Sequence, residues 1–323
     1  MIPIRDNIPS KNYPVVNHTI IGINVIVFLI QILQGADFDR FVYYYGLVPA
    51  RYFVPQIADY FSFGQQAFSL FSFMFLHGGF FHLLGNMWSL YIFGNNIEDR
   101  LGPFRYIGFY LLCGLLSGLS HLLLNPQSNI PTIGASGAIA GVMGAYFLLY
   151  PQSKILTLIP ILFIPWFVEI PAFFFLGLWF VLQLLNAAGA VGGIAWWAHI
   201  GGFVFGMILL KFFKIMPESS MTHKMRNMTV RKKSPGLQVL HATGPMDDPD
   251  LYGSISISTY EALAGTRKLV NIPWGFQRQL YRITIPPGIK DGQKIRLRGM
   301  GKRKPNGERG DLHLKVNVKQ ITQ

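Results

Sequence analysis

Apolar residues run through the first two-thirds of the chain in six long segments, approximately 17–35, 80–97, 104–124, 134–150, 170–187 and 194–213. Most approach the ~20 residues that a bilayer-spanning helix needs. The fourth is short and glycine-rich, which suits a central helix surrounded by protein better than one facing lipid. After residue 214 the pattern changes. Pro217, Pro235, Pro245, Pro249 and the run Arg231-Lys232-Lys233 mark a linker. From 251 apolar and polar positions alternate, in SISIS at 254–258, LYRITI at 280–285, KIRLR at 294–298 and DLHLKVNV at 311–318. Broken by Pro-Pro-Gly and Asn-Gly turns, these period-two segments predict a small antiparallel sheet or sandwich. The expected architecture is a polytopic α-helical membrane protein, a six-helix bundle, plus a small all-β soluble C-terminal domain. Its parts are a cytoplasmic N-terminus (1–16), a six-span domain (17–214), a basic, proline-containing linker (215–250) and a β-domain (251–323).

Charge sharpens this division. The formal net charge is +13, yet residues 1–210 hold seven basic and seven acidic residues, so the whole excess lies in the last third. Such a tail suits a soluble face beside an anionic leaflet. Nucleic acid is not an expected partner, because aromatics do not interleave with the basic residues. Within the bundle, Arg5, Lys11, Arg100, Arg105, Lys154, Lys211 and Lys214 all fall on one side of six spans, and only Arg40 and Arg51 fall opposite. The positive-inside rule then puts both termini in the cytoplasm of a multi-pass protein of the cytoplasmic (inner) membrane. The polar first stretch has no signal-peptide cleavage pattern, so the first apolar segment should be retained. The long external loop 36–79 has aromatic character of its own (Tyr52, Phe53, Tyr60, Phe61) and is expected to lie partly in the interface. The lone Cys113 excludes a disulfide framework and Cys-based zinc sites. No metal or cofactor is expected.

Candidate chemistry lies in the stretch TIGASGAIAGVMGA, 132–145, where nine of fourteen residues are Gly, Ala or Ser. Either two helices approach unusually closely there, or Ser136 is held for chemistry. Polar residues inside spans are functional candidates. His82 and Asn86 lie at i, i+4 in the first turns of span two, on one face. Ser136 opens span four, and His199 lies ~8 Å along span six. All four therefore share the outer half, on three spans running the same way. A neutral histidine can accept the proton of a serine hydroxyl. Free N–H groups at a helix start, with His82 and Asn86, can stabilise an oxyanion. With no acidic residue at this depth in spans two, four or six, a Ser-His dyad is expected rather than a triad. Gly137, Gly141 and Gly144 facing Ala198, Gly202 and Gly206 would allow the approach that such a pair requires. Gly134 belongs to the same small-residue set.

These residues resemble the rhomboid family of intramembrane serine proteases. GASG at 134–137 is similar to the nucleophile motif, AHIGGFVFG at 198–206 to AHxxGxxxG, and HGGFFHLLGN at 77–86 to HxxxxHxxxN. IEDRLG at 97–102 resembles the family's Glu-x-Arg element. The similarity covers roughly 15–213. It implies a six-helix bundle with a water-filled cavity opening outward, Ser136 as nucleophile, His199 as general base, and His82 and Asn86 as oxyanion donors. It implies transmembrane proteins as substrates, cleaved in or near a helix made unstable by small residues. Some members carry a tyrosine four residues after the serine, stacked on the catalytic histidine; here that position is Ala140. His77 matches a position of structural role. A catalytically silent membrane scaffold that binds clients is the alternative. A transporter would need paired carboxylates in the bundle, where Glu169 stands alone. A zinc protease would need HExxH, which is absent.

The tail, about 250–320, is similar to the substrate-binding β-domain of DnaJ-type co-chaperones, through DLYGSISISTYEALAGTRKLVNIPWG, IPPGIKDGQKIRLRGMG and GDLHLKVNV. It has neither His-Pro-Asp nor a Cys-rich zinc module. The resemblance implies a single β-subdomain that could hold an extended peptide or chaperone client along an edge strand, or act as a spacer.

Overall fold

The computed structural model describes residues 1–161, 164–189, 194–217, 220–230, 237–239, 248–274, 277–302 and 308–319. The chain divides into two units, Met1–Arg231 and Lys232–Gln323, each with its own core. Arg231, Lys232, Lys233, Pro235 and Pro245 of the expected linker lie outside the described residues.

The first unit opens with strand β1 (Ile2–Asp6) and helix α1 (Val15–Ile32). Short helices follow: α2 (Phe38–Tyr45), α3 (Ala50–Phe53), α4 (Pro55–Ala58) and α5 (Phe63–Ser72). Next come α6 (Phe80–Leu101), α7 (Pro103–Leu124) and α8 (Ser136–Leu149). The hairpin β2 (Lys154–Ile161) and β3 (Ile164–Pro171) leads to α9 (Ala172–Ala188), α10 (Trp196–Ile215) and α11 (Ser220–Thr229). The six apolar segments thus become α1, α6, α7, α8, α9 and α10. By length and composition α1, α7 and α10 can each cross a membrane, and α6 joins them when taken with Phe63–Phe75, from which it bends by 78°. Helices α8 and α9 are shorter. Ile26, Leu29, Leu185, Ile208 and Phe212 are exposed on α1, α9 and α10. Hydrocarbon accepts such a surface and water penalises it. The protein is membrane-embedded. Helix α8 lies at the centre, buried from Gly137 to Tyr146 and packed on α6, α7, α9 and α10.

Helix ends and buried polar groups set how these helices meet. Pro14 offers no side chain to cap α1. Instead Glu98 of α6 accepts the N–H groups of Val16 (3.1 Å) and Asn17 (2.7 Å), satisfying donors that α1 leaves open. Asn17 in turn donates to the Leu90 carbonyl (3.0 Å) and accepts from the Tyr106 hydroxyl (2.6 Å), so one amide ties α1, α6 and α7. Helix α11 stays with this unit: Arg226 donates to the Asp99 carbonyl (3.0 Å), and the Tyr13 N–H to the Thr229 carbonyl (2.8 Å).

The hydrophobic segments alone do not disclose the antiparallel sheet β1-β2-β3 formed by the N-terminal residues and the connection between α8 and α9. Its first strand delivers Asp6 into the bundle, where the carboxyl accepts from the Tyr146 hydroxyl (2.6 Å) and from the Asn96 amide. Burial pushes this carboxyl up from 3.8 to about 6, against hydrogen bonds from Tyr146 and Asn96 that pull it down. The folded chain therefore binds this proton more tightly than the unfolded chain. Stability from the site is complete below the unfolded value of 3.8 and is lost as pH rises to about 6. In detergent-solubilised protein, the melting temperature of the wild type should fall relative to that of Asp6→Asn between these two pH values. Parallel pH profiles for the two proteins would contradict this.

The segment between α1 and α6 is a packed scaffold. Arg51 is buried, donating to the carbonyls of Tyr43 (3.0 Å) and Tyr44 (2.9 Å) with its guanidinium 3.6 Å from the Phe61 ring centroid. Desolvation lowers the Arg51 pKa from its usual value. Leu47 and Thr132 exchange backbone hydrogen bonds, and the Gly134 N–H donates to the Phe73 carbonyl at 2.9 Å. This segment therefore anchors the stretch of chain that leads into Ser136.

Among the described residues, the second unit is a small all-β region with one short helix. Its strands are β4 (Leu237–Val239), β5 (Leu251–Ser258), β6 (Thr266–Trp274), β7 (Gln277–Ile285), β8 (Lys294–Leu297) and β9 (Leu312–Lys319). Helix α12 (Thr259–Ala264) starts in a Ser258/Glu261 capping box. The sheets run β4-β6-β7 and β5-β9-β8. The expected antiparallel pairing is only partly present, since β5 pairs with β9, and β4 with β6, in parallel. Alternation reveals which face of a strand is buried and carries no information on the direction of its neighbour. Ile255, Ile257, Leu312, Leu314 and Val316 form the core.

Candidate functional site

Ser136 is the first residue of α8, and Ala135 before it gives no side-chain cap. The first N–H groups of the helix therefore have no intrahelical acceptor. His199 lies in the first turn of α10, and its Nε2 stands 2.8 Å from the Ser136 Oγ. Both residues are half-buried.

Close helix approach makes this contact possible. A Cβ at Gly202 would overlap the carbonyl oxygen of Gly137, and one at Gly144 the carbonyl of Phe203. One at Gly206 would stand 2.5 Å from the Gly141 Cα. Gly141 also receives Cys113 of α7, whose Sγ would be 2.5 Å from a Cβ there. Helices α8 and α10 thus touch backbone to backbone, which carries His199 up to Ser136. Gly134 does not join that seam. It adopts φ +122°, and a Cβ there would stand 2.8 Å from the His82 Nε2 and 3.5 Å from the Asn86 Nδ2. The backbone two residues before Ser136 is threaded past the tips of both side chains, and a glycine leaves room for them.

His82 is exposed and Asn86 is buried, one turn apart on α6. The Gly78 N–H meets the His82 Nδ1 at 3.3 Å, so the neutral ring carries its proton on Nε2, the atom beside Gly134. The Asn86 Nδ2 is buried and has no acceptor among the described residues. Two donors without a protein acceptor among the described residues therefore lie beside Gly134, two residues before Ser136. His77 is buried, with its ring 5.2 Å from that of His82. Its backbone is bracketed by Gln31, whose amide donates to the His77 carbonyl (3.2 Å) and accepts its N–H (2.9 Å).

One residue escaped the sequence reading. Gln183 of α9 places its Oε1 2.8 Å from the His199 Nδ1. Trp179 lies one turn earlier on α9, its ring 6.0 Å from the imidazole at 33°, and Trp196 meets the imidazole edge-on at 6.1 Å. With Ala140 in place of an aromatic on α8, the aromatic neighbours of His199 come from α9 and α10. A lone amide in the run AFFFLGLWFVLQLL was the available signal.

Fold and site together define a membrane-embedded helical bundle carrying a serine–histidine pair at a helix start. Residues 64–214 match the family model of the Rhomboid domain, and 251–322 that of the DnaJ C terminal domain. An N-terminal rhomboid domain and a C-terminal DnaJ C terminal domain are both present in this chain. It is similar to RHOMBOID-like protein 1 of Arabidopsis thaliana, 31% identical over 50% of this chain and 39% of that protein. Rhomboid protein 1, mitochondrial, of Saccharomyces cerevisiae is 29% identical over 59% of this chain and 51% of its own length. RHOMBOID-like protein 2 of Arabidopsis thaliana is 35% identical over 53% of this chain and 50% of its own. The chain spans about half or less of the length of each of these relatives.

Proposed function

We propose that the N-terminal unit is an intramembrane serine endopeptidase that cleaves transmembrane proteins by a Ser136–His199 dyad. The observation carrying this reading is the 2.8 Å Ser136–His199 hydrogen bond at the start of α8, within a rhomboid domain. His199 Nε2 takes the hydroxyl proton as the Ser136 Oγ attacks the scissile carbonyl carbon. The oxyanion that forms is held by first-turn N–H groups of α8, the His82 Nε2–H and the Asn86 Nδ2–H. His199 then passes its proton to the leaving amine, releasing one product and leaving the acyl group on Ser136. A water deprotonated by His199 attacks that ester and restores the serine.

In this reading residues 17–214 form the protease domain of a multi-pass protein of the cytoplasmic membrane, with both termini cytoplasmic by the distribution of Arg and Lys. The substrates are transmembrane proteins whose helices are weakened by small residues near the cut. The C-terminal domain holds an extended peptide or client along a strand edge, and no candidate catalytic residue lies in it. Labelling of Ser136 by a fluorophosphonate probe, with loss of labelling in His199→Ala, is the expected result. No labelling of Ser136 in the wild type would favour a catalytically silent scaffold instead.

A further inference from the structure

We infer that Gln183 is the positioning residue of this site: it holds His199 in the tautomer that can accept the serine proton. The inference rests on the dyad reading above. The Gln183 amide has two possible orientations, and the structure selects one by hydrogen bonding. Its Nε2 donates to the Trp179 carbonyl of its own helix at 3.1 Å. The reverse orientation would set carbonyl oxygen against carbonyl oxygen. The Oε1 therefore faces the His199 Nδ1, 2.8 Å away. An amide oxygen only accepts, so Nδ1 must be the protonated nitrogen. In the neutral ring this leaves a lone pair on Nε2, directed at the Ser136 Oγ 2.8 Å away. Gln183 is 6% exposed, which keeps water from replacing the acceptor.

The residue type has a physical reason. A carboxylate in this role would be a buried charge beside a neutral ring through most of the cycle. An amide carries none, and its oxygen binds Nδ1–H more strongly once His199 has taken the serine proton and become cationic. The interaction is thus strongest in the transition state, so its removal lowers kcat and leaves KM nearly unchanged.

The test uses the full-length protein in proteoliposomes with a fluorogenic transmembrane substrate. Gln183→Leu and the volume-matched Gln183→Met should each lower kcat by about 10- to 100-fold, the worth of one hydrogen bond to a charged group. Fluorophosphonate labelling should slow in parallel. Gln183→Glu keeps the acceptor and should recover most of the loss. Nitrogen-15 NMR of the His199 ring should show the proton on Nδ1 in wild type and moved to Nε2, or shared, in Gln183→Met. A merely structural Gln183 would change melting behaviour and not the tautomer. Wild-type kcat and tautomer in a folded Gln183→Met protein would overturn the inference and leave the dyad standing, provided Ser136→Ala is inert. Undiminished cleavage by Ser136→Ala would instead remove the dyad itself.

Discussion

With Ser136 replaced by alanine, cleavage of a transmembrane substrate is expected to fall at least about 1,000-fold, the scale of losing a nucleophile from a serine hydrolase. The substitution removes the Oγ and leaves His82, Asn86, the helix start and the imidazole in place. Among the described residues the hydrogen bond lost is that between Ser136 and His199, so stability should change by no more than about 1.5 kcal/mol. His199→Ala should fall nearly as far, and the double variant hardly further, because the two groups act as a unit. The measurement is initial rates in proteoliposomes, with melting curves as the control. Cleavage within tenfold of wild type would mean that another group attacks the carbonyl.

The second large effect concerns a glycine in the seam between α8 and α10. Gly202→Ala adds one methyl group, and that methyl would overlap the carbonyl oxygen of Gly137, the residue after Ser136. The obstacle is backbone at the centre of the bundle, with no flexible side chain able to swing aside. Helix α10 must move away from α8 and take His199 with it. A misplacement of ~1 Å can cost about 100-fold in rate. Overpacking of this kind also costs about 1–3 kcal/mol of stability. Fluorophosphonate labelling and cleavage should both drop by about two orders of magnitude, the effect just given for such a misplacement. Gly22→Ala on α1 is the matched control, since a Cβ there meets nothing within 4 Å. Full labelling in Gly202→Ala would show that the seam can yield without disturbing the pair.

Much of this was legible along the chain. Six apolar runs became α1, α6, α7, α8, α9 and α10, because a buried or lipid-facing segment must satisfy its own backbone; length marks α1, α7 and α10 as spans, and α8 and α9 are shorter. The pairing of glycines on two segments, and polar side chains at matched depth, pointed to one place before any geometry was known. Other features left weaker traces. Sheet β1-β2-β3 comes from segments nearly 150 residues apart, and alternation does not name a partner. Glu98 sits in a charged cluster at the end of α6, and nothing local tells that it closes the start of α1. Asp6 looks like an ordinary polar residue of the N-terminus until β1 is seen to carry it to Tyr146.

The chain by itself determined the apolar bundle and the separate basic β-region, and it pointed to the serine, histidines and asparagine of the candidate site, because burial, length and the cost of polar groups in hydrocarbon act position by position. Tertiary structure alone decided that Gly134 lies beside His82 and Asn86, that β5 runs parallel to β9, and that Gln183 answers to His199. Each depends on which elements become neighbours and how they face, and contacts between distant segments are selected only when the whole bundle closes.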